Sequence, residues 1–224
     1  MKLSIIIPVL NEAQRLPHAL ECLASVRERG VEVIIVDGGS EDETLAAAVR
    51  VGGRLVNSSR GRARQMNAGA RIATGEILLF LHIDTALPEN ADLLIEAALC
   101  DRRRVWGRFD VHIQGRPWML KVIAALMNWR SRMSEIATGD QAIFVARGAF
   151  GSVGGFPDQP LMEDIELCKR LRALSPPACL RARAVTSGRR WESCGVWRTI
   201  ILMWRLRWAY WRGVPASVLA QVYE

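Results

Sequence analysis

VEVIIVDGGS, residues 31–40, is a continuous apolar, β-branched run that ends in an aspartate and two glycines. Such a run reads as a strand buried on both faces, as in a parallel sheet, leading into a tight turn. Glu41, Asp42 and Glu43 follow it and suit the positive N-terminal end of a next helix. Upstream, LSIIIPV at Leu3–Val9 is a second buried run. After it, Asn11 and Glu12 open a segment in which Leu16, Leu20 and Leu23 recur at helical spacing until Gly30 stops it. Two strand–helix units in the first 50 residues predict an α/β fold that begins with a nucleotide-binding half-sheet.

Downstream the alternation continues. Arg54–Asn57 reads as a short third strand, SRGRARQMNAGARIATG (59–75) as a helix, and EILLFLHIDT (76–85) as a fourth strand ending in His82, Ile83 and Asp84. Beyond Pro88 a helix is expected to about Leu99. A strand over 106–113, a helix over 118–133, a strand over 142–145 and a helix over 163–174 follow, the last closed by Pro176 and Pro177. No repeat or low-complexity linker interrupts this order, which predicts one domain with a C-terminal appendage.

With 224 residues, 50% of them hydrophobic, the chain can bury one sizeable core, and no apolar run approaches the roughly 20 residues that span a bilayer. The opening MKLSIIIPVLNE is cut by Pro8 and lacks a small-residue cleavage site, so a cytoplasmic location is expected. Five scattered cysteines without a CxxC pair argue against a disulfide framework or a zinc site. The net charge of +7 is unevenly spread: residues 1–100 carry 10 basic and 13 acidic side chains, residues 101–133 carry 8 and 2, and residues 185–224 carry 6 and 2. All eight tryptophans lie beyond residue 100. That split predicts two basic, tryptophan-rich surfaces rather than a nucleic-acid binder, and no helix-turn-helix or RNA-binding aromatic motif accompanies the charge.

Ligands of parallel α/β sheets bind at the carboxyl ends of strands, where Asp37 and Asp84 stand. Asp37 can accept from a base N–H or a ribose hydroxyl while Gly38 and Gly39 admit a ligand close to the backbone; the same residues also read as a tight turn. On a strand, His82 and Asp84 share a face. There they suit Mg²⁺ or Mn²⁺ completed by diphosphate oxygens and water, or else simply cap the following loop. Glu163 and Asp164 open a helix, where one of them can act as a general base toward an acceptor hydroxyl or cap the helix.

The succession LSIIIPVLNE, VIIVDGGSEDET, RARQMNAGARIATGEILLFLHIDT, TGDQAIFVARGAFGSVGGFP and LMEDIELCKRLR resembles, over about residues 1–174, the inverting glycosyltransferases of family 2. The resemblance implies a GT-A type, Rossmann-like three-layer sandwich with a mostly parallel central sheet, residues 1–191, and a helical appendage, residues 192–224. It further implies a nucleotide-diphospho-sugar donor, Mg²⁺ or Mn²⁺, and displacement at the anomeric carbon with inversion. Pro8, Glu12 and Asp37 then match the nucleoside pocket. Arg62, Gln65 and Asn67 match the stretch that contacts the nucleotide or its phosphates. Asp84 matches the second Asp of an Asp-x-Asp metal motif, and Asp164 the base, with Asp140 as the alternative base or an acceptor-pocket carboxylate.

Three positions depart from the family pattern. His82 replaces the first Asp of Asp-x-Asp, Gly38 replaces an Asp in the usual VDDGS, and Gln-x-x-Arg-Trp survives only as Ser187-Gly188-Arg189-Arg190-Trp191. The missing Gln favours a single transfer over processive synthesis, while Arg190 and Trp191 remain candidates to contact the diphosphate or the acceptor. The HID, TGDQ, MEDIEL and SGRRWE stretches together are most similar to a bacterial subgroup of radical-SAM/selenodomain-associated transferases.

Trp197, Ile201, Trp204, Trp208 and Trp211 form one helical stripe, with Arg198, Arg205 and Arg212 beside it. Trp118, Lys121, Trp129, Arg130 and Arg132 form a second basic, aromatic segment. Either surface fits an anionic membrane interface, which would serve a lipid-linked acceptor, or a packed seam or contact with a second copy. Two other functions stay open at this point: a nucleotidyltransferase, and a non-catalytic membrane-surface protein with a degenerate donor site.

Overall fold

The computed structural model describes residues 2–50, 53–101 and 103–223. In chain order its elements are β1 (Leu3–Val9), α1 (Leu16–Glu21), α2 (Ala24–Glu28), β2 (Glu32–Asp37), α3 (Thr44–Arg50), β3 (Arg54–Asn57), α4 (Arg62–Ile72), β4 (Ile77–Phe80), β5 (Thr85–Ala86), α5 (Ala91–Leu99) and β6 (Trp106–Gln114). Then come α6 (Met119–Ser134), a 3₁₀ turn (Gly139–Gln141), β7 (Phe144–Ala146), α7 (Arg147–Ser152), α8 (Glu163–Leu171), β8 (Ala178–Ser187), α9 (Arg189–Cys194), α10 (Val196–Trp211) and α11 (Ala216–Tyr223).

The strands form one mixed, mostly parallel sheet in the order β3-β2-β1-β4-β7-β6-β8-β5. The β3-β2-β1-β4 half is parallel, and β7 joins it antiparallel through Leu79↔Phe144. Alternate residues of the central strands feed two cores, which is why their sequences are apolar throughout. Ile5, Ile7, Val33, Ile35 and Leu79 pack with Leu16, Leu20, Leu23, Ala48 and Ile95 on one side. Ile6, Ile34, Val36, Leu78 and Phe80 pack with Met66, Phe150, Leu167 and Leu171 on the other. The result is the three-layer α/β sandwich that the sequence predicts.

Two departures shape the site. The fourth strand ends at Phe80, not Asp84: after Leu81 N–H donates to the Ile6 carbonyl at 3.0 Å, the chain turns, and Thr85 N–H bonds the His82 carbonyl at 3.1 Å. It is drawn away by β5, which pairs antiparallel with β8 through Thr85↔Thr186. β8 itself follows the two prolines, where no strand is expected, and runs parallel to β6 from Gly107↔Ala178 to Gln114↔Ser187 across a bulge at Phe109/Asp110. The expected helix before Gly30 is split into α1 and α2, and Gly30 closes it at φ +85°.

At the C-terminus, Leu206 and Leu219 are buried against Leu161 and Met162, with Met203, Tyr210 and Tyr223 packed around them. The tryptophan stripe of α10 is therefore not its packing seam. Trp204 and Trp211 are 74% and 78% exposed, and Trp197, Ile201 and Trp208 are exposed beside them. Among the described residues no helix is long and apolar enough to cross a membrane.

Candidate active site

At the carboxyl ends of β1 and β2 the polar side chains build the floor of a cleft. Asp37 is buried; its carboxylate accepts from Gly39 N–H at 2.8 Å, Ser40 N–H at 3.0 Å and Ser40 Oγ at 2.5 Å. It makes the turn that the DGGS reading anticipates, and its oxygens are engaged there. Gln65, reaching in from α4, donates Nε2 to the carbonyls of Val9 and Val36 at 2.8 Å each, so it ties the two strand ends together. Asn67 pairs both ways with the backbone of Phe156, at 2.8 and 3.0 Å, and anchors the GGFP loop to α4. Pro8 lies in register with Val36. Glu12 Oε2 meets Arg15 Nη1 at 2.5 Å, and its N–H donates to Thr44 Oγ1 at 2.8 Å. Asn11, Glu12, Gln14, Arg15, Asp42 and Glu43 line the open cleft beside them.

Three segments distant in sequence meet next to this floor: the turn at 82–84, the 3₁₀ turn, and the start of α8. Asp164 Oδ2 accepts Gly139 N–H at 3.0 Å, and its Oδ1 accepts Ile165 N–H at 2.7 Å. His82 Nδ1 lies 3.3 Å from Asp140 Oδ1. Gly139 makes room for the imidazole, since a Cβ at this position would collide with His82 Cε1. Met66, Phe80, Ile143 and Phe156 wall a small cavity with His82, Gly139, Glu163 and Asp164.

The charges here are strongly coupled. Burial and the neighbouring Asp164 charge push the Glu163 carboxyl up, against Arg62, whose Nη1 is 3.5 Å away, and His82. Burial also acts to raise Asp140, but His82, Arg62 and Arg207 outweigh it and hold its carboxyl below the ordinary carboxylate value. Burial opposes the charge of Arg62, yet Glu163 and the other acids around it raise its pKa further.

Asp84 is half-buried; its backbone carbonyl accepts Ser187 N–H at 3.1 Å, and its carboxylate has no partner among the described residues. His82 and Asp84 do not form the pair that strand geometry predicts, because both sit in a turn and the imidazole faces Asp140. Among the described residues no three of His, Cys, Asp and Glu gather as a metal-binding group. Asp84 offers an unengaged, hard oxygen donor, which fits Mg²⁺ or Mn²⁺ bound mainly through diphosphate oxygens and water.

Arg190 and Trp191 are engaged by the protein itself. The Arg190 guanidinium stacks 3.7 Å from the Tyr223 ring centre and donates to the Tyr223 carbonyl at 2.8 Å. Trp191 packs against Val111, Ile113 and Leu120. Two arginines that sequence reasoning does not place in the site approach it instead. Arg130, expected on the basic surface, and Arg207, outside the α10 arginine stripe, both feel the Asp164 charge, and each has a buried Nε without a hydrogen-bond partner. Arg207 is two residues from Arg205 and so breaks the seven-residue spacing of the stripe, the one signal that it faces elsewhere.

A mixed, mostly parallel sheet between two helical layers, with carboxylates gathered beyond its strand ends, defines a glycosyltransferase fold of the GT-A type. Residues 4–156 match the family described as glycosyl transferase family 2, and the chain belongs to that family. It is 34% identical over 164 residues to a PGL/p-HBAD biosynthesis glycosyltransferase of Mycobacterium bovis, across 68% of this chain and 62% of that protein. The chain thus spans less than two thirds of that relative's length. Among solved structures, S. aureus TarS 1–349 in complex with UDP superposes with a TM-score of 0.66 at 19% identity, covering 84% of this chain and 60% of that one. The mannosyltransferase PcManGT from Pyrobaculum calidifontis, in complex with GDP-Man and Mn²⁺, gives 0.63 at 22% identity, covering 82% and 56%.

Proposed function

We propose that this chain transfers one sugar from a nucleotide-diphospho-sugar to a lipid-linked acceptor by direct displacement with inversion. The observation that carries the reading is the meeting of the 82–84 turn, through His82, with Asp140 and Glu163–Asp164 beyond the carboxyl ends of a GT-A sheet. TarS with UDP and PcManGT with GDP-Man and Mn²⁺ support the donor class. Asp164 accepts the proton of the acceptor hydroxyl as that oxygen bonds the anomeric carbon and the bond to the diphosphate breaks on the opposite face. Backbone N–H groups of Gly139 and Ile165 fix its orientation. A divalent cation held by Asp84 would neutralise charge on the departing diphosphate. Arg62 adds a fixed positive charge at the same edge. Nucleotidyl transfer is disfavoured, because it calls for a basic triphosphate loop after the first strand, and the lone Arg15 there is paired with Glu12.

Attachment to an anionic membrane would bring the enzyme to such an acceptor. Leu120 and Ile123 of α6 and Val196 and Ile200 of α10 share one apolar cluster with Val111 and Ile113 of β6. Outward, α6 and its N-cap carry exposed Trp118, Val122, Leu126, Trp129 and Met133, and α10 carries its exposed tryptophan stripe. Indole side chains and arginines on one surface suit lipid headgroup depth.

Thermal unfolding with UDP, GDP, CDP, dTDP or ADP, each with and without Mn²⁺ or Mg²⁺, tests the donor site, since binding to the folded state raises its apparent stability. A metal-dependent rise with one nucleotide is expected. No rise with any of them, in folded protein, overturns the reading and leaves the non-catalytic, membrane-surface function.

A further inference from the structure

Arg130 and Arg207 have the features of an anion receptor. The Nε and Nη2 of Arg130 and the Nε of Arg207 are buried and make no hydrogen bond. A buried N–H without an acceptor is costly, and a guanidinium more so, unless a ligand answers it. The two side chains come from different helices, α6 and α10, and lie close enough to repel each other. Burial and the Arg207 charge push Arg130 down to about 10. Burial likewise lowers Arg207, which Asp164 and Asp140 only partly offset. Neither acid relieves them by contact: the Asp164 oxygens hold Gly139 and Ile165 N–H, and Asp140 faces His82. Arg108, a third guanidinium near Arg130, also leaves its Nε unpaired, but its Nη1 is tied to Asp110.

Each receptor arginine is also followed or preceded by an exposed tryptophan: Trp129 before Arg130 and Trp208 after Arg207. The site thus presents paired guanidinium groups at the edge of the acidic centre and indole surface on the same two helices. That combination matches an amphiphile with an anionic head.

We infer that Arg130 and Arg207 together bind the phosphate headgroup of a lipid-linked acceptor, with its hydrocarbon lying along the Trp129 and Trp208 side. This rests on the transferase reading above and adds the acceptor's chemical class. Planar guanidinium forks suit a phosphate, and holding it there leaves a hydroxyl elsewhere on the acceptor headgroup to meet Asp164.

The test is calorimetric titration of the full chain, at fixed ionic strength, with decyl phosphate, inorganic phosphate and decanol, and separately with UDP and Mn²⁺. Arg130→Gln, Arg207→Gln and the surface variant Arg50→Gln on α3 are compared with the parent chain. Decyl phosphate should bind at least tenfold more tightly than inorganic phosphate or decanol. Its affinity should fall at least tenfold in the first two variants and stay unchanged in Arg50→Gln, while UDP still binds. Equal affinity for inorganic and decyl phosphate would show a site for free anions and overturn the lipid assignment. Loss of UDP together with decyl phosphate would place the arginines on the donor diphosphate and overturn it too, as would decyl phosphate binding that survives both substitutions. Absence of UDP binding in the parent chain, with decyl phosphate binding intact and arginine-dependent, would sink the transferase reading and leave the lipid-phosphate site standing. Unliganded Arg130→Gln and Arg207→Gln should melt at or above the parent temperature, because each removes a buried like charge; a fall in both would show that these arginines hold the fold and would overturn the inference.

Discussion

The amide of Gln65 fills the space that a side chain on Gly38 would need: a Cβ there would lie 2.9 Å from Gln65 Cδ and 3.0 Å from Nε2. The amide cannot withdraw without giving up its hydrogen bonds to Val9 and Val36. Gly38, where the family resemblance leads one to expect Asp, and the buried Gln65 are therefore a matched pair. Gly38→Asp should cost about 1–3 kcal/mol by overpacking. Gln65→Ala should cost about 1–3 kcal/mol by leaving two carbonyls unpaired. In urea denaturation the Gly38→Asp/Gln65→Ala double variant should lose clearly less than the two single losses together, because the clash and the amide are removed at once. Strict additivity would disprove the pairing.

Asp84→Ala should abolish the metal-dependent rise in melting temperature with nucleotide. In the absence of ligand it should change stability by no more than about 0.5 kcal/mol, since the carboxylate has no partner to lose. Parallel melts with and without Mn²⁺ separate the two effects. A nucleotide shift equal to that of the parent chain would remove Asp84 from the metal site.

Asp164→Asn keeps an oxygen to accept from Gly139, so the 3₁₀ turn and nucleotide binding should persist. Turnover should fall about 10²- to 10⁴-fold, the usual loss for a general base. Asp140→Asn should cost less than about tenfold if Asp140 only orients His82, since no proton then passes to it in the reaction. Sugar release from a radiolabelled donor measures both. A larger loss in Asp140→Asn than in Asp164→Asn would exchange their roles.

Glu163 has a raised pKa in the folded chain, from burial and the Asp164 charge. The folded state therefore holds this proton more tightly than the unfolded chain. Its contribution to stability is full below the ordinary value of 4.5 and is lost as pH rises through the raised folded value. Glu163→Gln, which cannot ionise, should gain stability relative to the parent chain across that same interval. Denaturation midpoints of both proteins from pH 4 upward, about half a unit apart, check the sign; a difference that stays flat would show that Glu163 titrates normally.

Trp204→Ser and Trp208→Ser alter exposed side chains, so melting temperatures should hold while co-sedimentation with phosphatidylglycerol vesicles falls. Added salt should weaken what binding remains, through screening of the α10 arginines. If vesicle binding is absent in the parent chain at low salt and these substitutions instead dissolve a dimer in sedimentation velocity, the surface contacts a second copy and not a membrane.

Local pattern was enough to fix much of this protein. The β-branched runs at Leu3–Val9 and 31–37 define central strands because both faces are apolar. Gly30 ends a helix because it takes φ +85° without a side-chain penalty, and the Glu163–Asp164 pair marks the start of α8. The order of these segments carries the family. Only the tertiary structure decided what the polar residues do. Asp37, Gln65 and Asn67 stand where ligand contacts were expected, yet each is claimed by backbone groups, in the case of Gln65 by a carbonyl 56 residues away. His82 and Asp84 are parted because β5 pairs with β8, a contact between segments about a hundred residues apart that no periodicity records. Arg130 and Arg207, on different helices, both leave buried nitrogens unpaired within reach of the Asp164 charge. Periodicity reports which side of an element is buried; the partner that a charge or amide finds there depends on which distant segment the fold sets against it.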